Sequence, residues 1–356
     1  MVNRLFFRLA AICGWVAILF TFLFLPLLTQ RADKKSINVF LWSGVIDPKF
    51  FKEFEQKTGI KVNVTYFGGN EELIAKLLAT DSKGYDLISP SDYVVDFLIK
   101  HKQLKKLDKS KLNFYDKLNP KLLGYYFDPE NDYSIPQDWY VLGLGINKKY
   151  FKNGLPPASW KTVFDPAFMP KNMGLINDSR ELIGLAIYYK YGQLRPINQK
   201  EQLEIKELLV NQKRYVEAYT DFRGDFLLES GNCSMVLVGS NFIWKTLVKN
   251  PDLAFLIPQE GTFLGIENYV IPAHSQKAEM VYQLLNFLFE PEVQRYNFEH
   301  WSNCSPRKDA NYLFENEALK EVIPFIHPDT PERALTFHNF LTDEQVDQIW
   351  LSVKGS

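Results

Sequence analysis

The sequence is short of the residues on which most metal and nucleophilic chemistry depends. It has 3 cysteines and 5 histidines in 356 residues. His101, His274, His300, His327 and His338 fall at no metal-ligand spacing. There is no Cys-x-x-Cys, His-Glu-x-x-His or Gly-x-Ser-x-Gly, and no phosphate-binding glycine loop carrying a lysine. These absences argue against an enzyme and call for no metal and no cofactor. Charge of one sign is not in excess either. Lys+Arg number 41 against Asp+Glu 42, a net charge of -1, so no basic field points to nucleic acid. Internal repeats and low-complexity stretches are also missing.

Apolar residues are plentiful. The chain is 46% hydrophobic and 15% aromatic, at a length that usually divides into two cores. One long uncharged run, Leu9 to Leu28, follows Arg4 and Arg8 and precedes Arg31, Asp33, Lys34 and Lys35. About 20 apolar residues in a helix span roughly 30 Å of bilayer hydrocarbon. The apolar core of a secretory signal is shorter, about 7–15 residues, and ends in small residues. Here the run closes on Leu27-Leu28-Thr29-Gln30. Residues 1–36 therefore read as a signal peptide or, by this contrast, an uncleaved signal-anchor in the inner membrane, with the remainder outside the cytoplasm. Cys13 reads as an ordinary member of the run. Cys233 and Cys304 leave two readings open, one disulfide or two buried thiols.

Strand and helix patterns alternate after the apolar run. Ile37 to Trp42 reads as a strand. Pro48 opens a helix with Phe50, Phe51 and Phe54 on one face and Gly59 at its end. Ile60, Val62, Val64 and Tyr66 alternate as a second strand. Asn70 reads as the N-cap of a helix to Thr80. Tyr85 to Pro90 reads as a third strand, with another helix from Ser91. This rhythm predicts a mostly parallel, helix-covered sheet. Later, Val141 to Asn147 suits a strand crossing between lobes. Met173 to Ile176 and Met235 to Val238 read as buried strands, Lys200 to Leu209 and Lys277 to Phe289 as helices.

Ligands of open α/β sheets sit beyond the carboxyl ends of the strands. That rule selects Trp42-Ser43-Gly44, Tyr66 to Asn70, and Ser91-Asp92-Tyr93. A further cluster, Asn177 to Glu181, follows a strand. Asp178 there reads either as a helix cap or as a cleft acid beside Glu181. Glu267, after Gly261 and Gly265, is a third acid, with a lobe-surface carboxylate as the alternative.

Several segments resemble the bacterial spermidine/putrescine-binding proteins. They are Phe127-Asp128-Pro129-Glu130-Asn131-Asp132-Tyr133-Ser134-Ile135-Pro136, Lys57 to Val62, Tyr85-Asp86-Leu87 with Pro90-Ser91, Leu107 to Leu112, and Asp178-Ser179-Arg180-Glu181. Their order and spacing hold from about residue 37 to 310, and the final stretch matches poorly. The resemblance implies an α/β, hinge-linked, two-lobe periplasmic-binding-protein fold of type II. Lobe 1 would comprise residues 37–142 plus about 266–312, and lobe 2 residues 143–265 plus about 313–356. It further implies a monomer that captures a polyamine or related small cation in the periplasm and delivers it to an ABC permease and its ATPase. Trp42, Ser43, Ser91 and Tyr93 match ligand-contacting positions, Asp178 and Glu181 match an acidic pair, and Glu267 stands where the family usually has Asp. Val45, Leu237, Gly265 and Asn303 replace aromatic contacts of the spermidine binder. Asp138, Trp139, Phe263, Trp301 and Phe337 are candidates to compensate. A different small ligand in the same fold, or a membrane-tethered sensor, are the alternatives.

Overall fold

A computed structural model describes residues 14–15, 35–220, 224–327, 334–338 and 340–356. Its strands are β1 (Ser36–Trp42), β2 (Lys61–Phe67), β3 (Leu87–Ile88), β4 (Ser134–Asn147), β5 (Met173–Leu175), β6 (Val216–Tyr219), β7 (Met235–Gly239), β8 (Leu253–Leu256) and β9 (Leu264–Val270). They run in the order β2-β1-β3-β9-β4-β7-β5-β6, with β8 also paired to β4. The longer helices are α1 (Pro48–Thr58), α2 (Asn70–Thr80), α3 (Asp92–Lys100), α4 (Ser179–Tyr191), α5 (Gln199–Gln212), α6 (Ser240–Lys249), α7 (Ala278–Leu288), α8 (Pro291–Trp301) and α9 (Asp343–Lys354).

Local chemistry explains the first units. The Asp47 carboxylate accepts from the Lys49 amide, Pro48 starts α1, and Gly59 ends it at φ 69, a conformation that favours glycine. Phe50, Phe51 and Phe54 are buried on one face, as their spacing predicts. β1 and β2 are parallel, and β3 joins β1 in parallel. Val39 and Leu41 enter one apolar cluster while Phe40 enters another, so this sheet is buried on both faces. One expectation fails: Asn70 lies inside α2, and Gly69 is the cap residue. The Asn70 amide group is turned to Ser91 and Asp178 instead of to the helix backbone.

β4 belongs to both halves of the molecule. Its residues 134–141 pair with β9, and residues 142–147 pair with β7 and β8, all antiparallel. Gly145 permits that crowding, since a Cβ there would stand 2.5 Å from Ile243 Cδ1 and 2.8 Å from Val236 Cγ2. One core gathers around Phe40, Ile88, Trp139 and Ile266, another around Leu144, Trp160, Ile183 and Leu237. Leu313, Leu319, Val322 and Ile326 join the first of these, and the turn Glu317–Leu319 packs on α6. From Phe337 through α9 the chain packs in the second.

Cys233 and Cys304 are free and buried, in different clusters, so the two-thiol alternative holds. Among the described residues no helix is long and apolar enough to cross a membrane. The run of residues 9–28 lies outside them except for Gly14 and Trp15, as does Cys13.

Candidate ligand-binding cleft

Three sets of elements converge on one cavity. The ends of β1 and β3 and the turn into α2 bring Trp42, Ser43, Asn70 and Ser91. The turn after β5, the first turn of α4 and the end of β7 bring Asp178, Glu181, Gly239 and Asn241. Asp138, Tyr140 and Leu142 of β4, with Glu267 of β9, form the floor.

Each acid is held by neutral donors. The Trp42 Nε1 donates to Glu267 Oε2 at 2.6 Å, and Ser91 Oγ lies 2.9 Å from both Glu267 oxygens. Asn70 Nδ2 donates to Ser91 Oγ at 3.1 Å and to Asp178 Oδ2 at 3.4 Å. The Tyr93 hydroxyl donates to the same Asp178 oxygen at 2.8 Å. The other oxygen, Oδ1, accepts from the amides of Arg180 and Glu181, both at 3.0 Å, and so caps α4. Cap and cleft group are thus one side chain. Glu181 does not close a capping box; its Oε1 accepts from the Tyr140 hydroxyl at 3.0 Å. Asp138 accepts from Asn241 Nδ2 at 3.0 Å and from the amides of Trp139 and Cys304 at 2.8 and 2.6 Å. Arg180 pairs with Asp343 on α9.

Asp138, Glu181 and Glu267 are buried, Asp178 is half-buried and Glu71 is exposed at the rim. Glu71, Asp138, Asp178, Glu181 and Glu267 line the cavity, and none of its lining residues is Lys or Arg. Burial pushes Glu267 up to about 8 and Asp138 to about 7. Asp92, behind the wall, rises to about 7 through burial and then the Asp178 charge. Glu181 is driven well above the usual carboxylate range, first by burial and then by Asp178 and Asp92. Asn70 Oδ1 and Asn241 Oδ1, both acceptors, have no protein partner. A buried charge is tolerated when it is paired.

Of the seven residues expected from the sequence, Trp42, Ser43, Ser91, Asp178, Glu181 and Glu267 line the cavity. Tyr93 does not; it is 4% exposed and reaches Asp178 from behind the wall. Among the compensating candidates Asp138 alone lines the cavity. Trp139, Phe263 and Phe337 are core residues, the first donating to the Ser305 carbonyl at 3.1 Å, and Trp301 ends α8 away from the lining. Val45 lines the cavity; Leu237 is in the second core and Asn303 is buried outside the lining. Tyr140, Asn241 and Phe242 went unnoticed in the sequence. The signal for Tyr140 was the unexplained Gly265, its cross-strand partner.

Comparison with known proteins matches residues 49–321 to the family described as bacterial extracellular solute-binding protein. The chain belongs to this family. A putrescine-binding periplasmic protein of Pseudomonas aeruginosa is 30% identical over 340 residues, covering 87% of this chain and 92% of that one. A spermidine/putrescine-binding periplasmic protein of Salmonella typhimurium is 28% identical over 308 residues, covering 84% and 85%. Among solved structures, a putative spermidine/putrescine ABC transporter from Listeria monocytogenes superposes with a TM-score of 0.75 at 26% identity, covering 90% of this chain and 99% of that one. The resemblance to the spermidine/putrescine binders and the type II two-lobe fold are therefore borne out. As a solute-binding family, this one binds rather than catalyses, in line with the missing catalytic motifs.

Proposed function

We propose that this chain is the periplasmic capture subunit of an ABC importer and that its cleft takes a polyamine, or a related small amine, as the protonated cation. The observation that carries this reading is the group of carboxylates at Asp138, Asp178, Glu181 and Glu267, three of them buried, with unpartnered acceptors on Asn70 and Asn241 and no Lys or Arg among the described lining residues. Ammonium groups supply the missing donors and the missing positive charge, and Trp42 and Tyr140 offer ring faces to the methylene chain. The names of the relatives support the same ligand class. An amino acid fits less well, because its carboxylate would meet no cation among the lining residues.

In this reading residues 37–142 plus about 266–312 form one lobe and residues 143–265 plus about 313–356 the other, with Leu313, Leu319, Val322 and Ile326 of that last stretch packed in the first core. The lobes close like a hinged trap on β4, and the loaded monomer docks on a permease driven by an ATPase. The apolar residues 9–28 direct or tether it at the inner membrane. Isothermal titration of the purified protein with putrescine and spermidine tests the ligand class. Tight exothermic or endothermic binding of either supports it, and no heat from either at millimolar ligand removes it.

A further inference from the structure

The ring of Tyr140 lies in a slot made by two glycines. Across the sheet Tyr140 pairs with Gly265, and a Cβ built on Gly265 would stand 2.5 Å from both Tyr140 Cε1 and its hydroxyl oxygen. At the end of β7, a Cβ on Gly239 would stand 2.9 Å from Tyr140 Cδ2 and 3.0 Å from Cγ. Neither glycine has a positive φ, so backbone conformation does not call for glycine at either place. Space does. Any side chain at these positions would collide with the ring.

The ring also sits between acids. Its hydroxyl donates to Glu181, and burial followed by the Glu181 and Glu267 charges holds that hydroxyl well above the usual tyrosine range. A ligand running from the floor acid Glu267 to the wall acid Glu181 therefore passes along Tyr140.

We infer that Tyr140 is the residue that sets how long an amine the cleft accepts. Its ring fills the volume that the two glycines leave open and bounds the path between the two acids. This inference rests on the amine reading above and adds the expectation that short diamines are preferred to longer triamines.

The test is calorimetric titration of the full chain in detergent with putrescine, cadaverine and spermidine. The variants are Tyr140→Gly, Tyr140→Phe, Gly265→Tyr and the double Tyr140→Gly/Gly265→Tyr. The wild type should favour the diamines. Tyr140→Gly should move the spermidine-to-putrescine affinity ratio toward spermidine by roughly tenfold or more, the scale on which a pocket reads ligand length. Tyr140→Phe keeps the ring and should keep the ratio while weakening all three amines alike. Gly265→Tyr alone should abolish binding, and the double variant, with one ring in the slot again, should recover it. Melting temperatures report folding, and the two Tyr140 single variants decide the matter even where Gly265→Tyr does not fold. A wild type that favours spermidine, or a ratio unmoved in Tyr140→Gly, overturns the role of Tyr140 and leaves the amine reading standing. A wild type blind to all three amines overturns both.

Discussion

Tyr93, on α3, reaches across to the turn before α4 and donates its hydroxyl at 2.8 Å to Asp178 Oδ2. The carboxylate that receives this bond also caps α4 through its other oxygen. One side chain therefore fixes the start of a helix, joins two walls of the cleft and contributes a negative charge to the cavity.

Asp178→Asn separates these roles. Asparagine caps a helix about as well as aspartate, whereas alanine costs about 1 kcal/mol. The asparagine variant should melt within a few degrees of the wild type. Its amine affinity should fall by roughly one to two orders of magnitude, the worth of a charged hydrogen bond of about 1.5–3 kcal/mol. Paired melting curves and titrations decide it; unchanged affinity would show that the ligand does not use this charge.

Affinity should depend on pH with a defined sign. Burial pushes Glu267 up to about 8 and Asp138 to about 7 in the cleft, and Asp92 behind its wall to about 7. A bound ammonium favours the ionised acids, so binding releases protons, and affinity should climb from about pH 6 to about pH 8. Stability of the ligand-free protein runs the other way. The unfolded acids titrate near about 4, so between that value and the raised ones the folded state holds more protons, and stability falls as pH rises. Glu267→Gln should weaken amine binding and flatten part of both trends. Calorimetry in buffers of different ionisation enthalpy counts the protons, and proton uptake on binding would contradict the scheme.

Gly145→Ala tests the crowding along β4. The added methyl would press on Ile243 and Val236, an overpacking that typically costs about 1–3 kcal/mol. Urea unfolding should show a lower midpoint with an unchanged slope; a midpoint equal to wild type would mean that the strand relaxes freely.

The sequence carried much of the scaffold. Proline at 48, the Phe50/Phe51/Phe54 stripe and Gly59 announced α1, because caps and periodicity are local signals. The acids of the cleft are legible for a related reason: Asp178 follows a strand and opens a helix, and it both caps α4 and lines the cavity. The aromatics were less so. Trp139 was proposed as a cleft residue, and it is its neighbour Tyr140 that lines the cavity. Adjacent strand residues face opposite ways, so the choice turned on parity along β4. That parity is fixed by pairing with β9 more than a hundred residues later in the chain, which no local pattern encodes. Asn70 follows the same rule: its amide turns to Ser91 and Asp178, distant in sequence, and away from the helix backbone.

β4 has a mechanical consequence of its own. Asp138, Tyr140 and Leu142 ride on alternate residues of β4, which pairs with β9 on one side and with β7 and β8 further along. On the proposed reading, the seat for the solute and the bending element are then the same piece of backbone. A solute held there would then press directly on the strand shared by the two halves, with no relay between occupancy and posture.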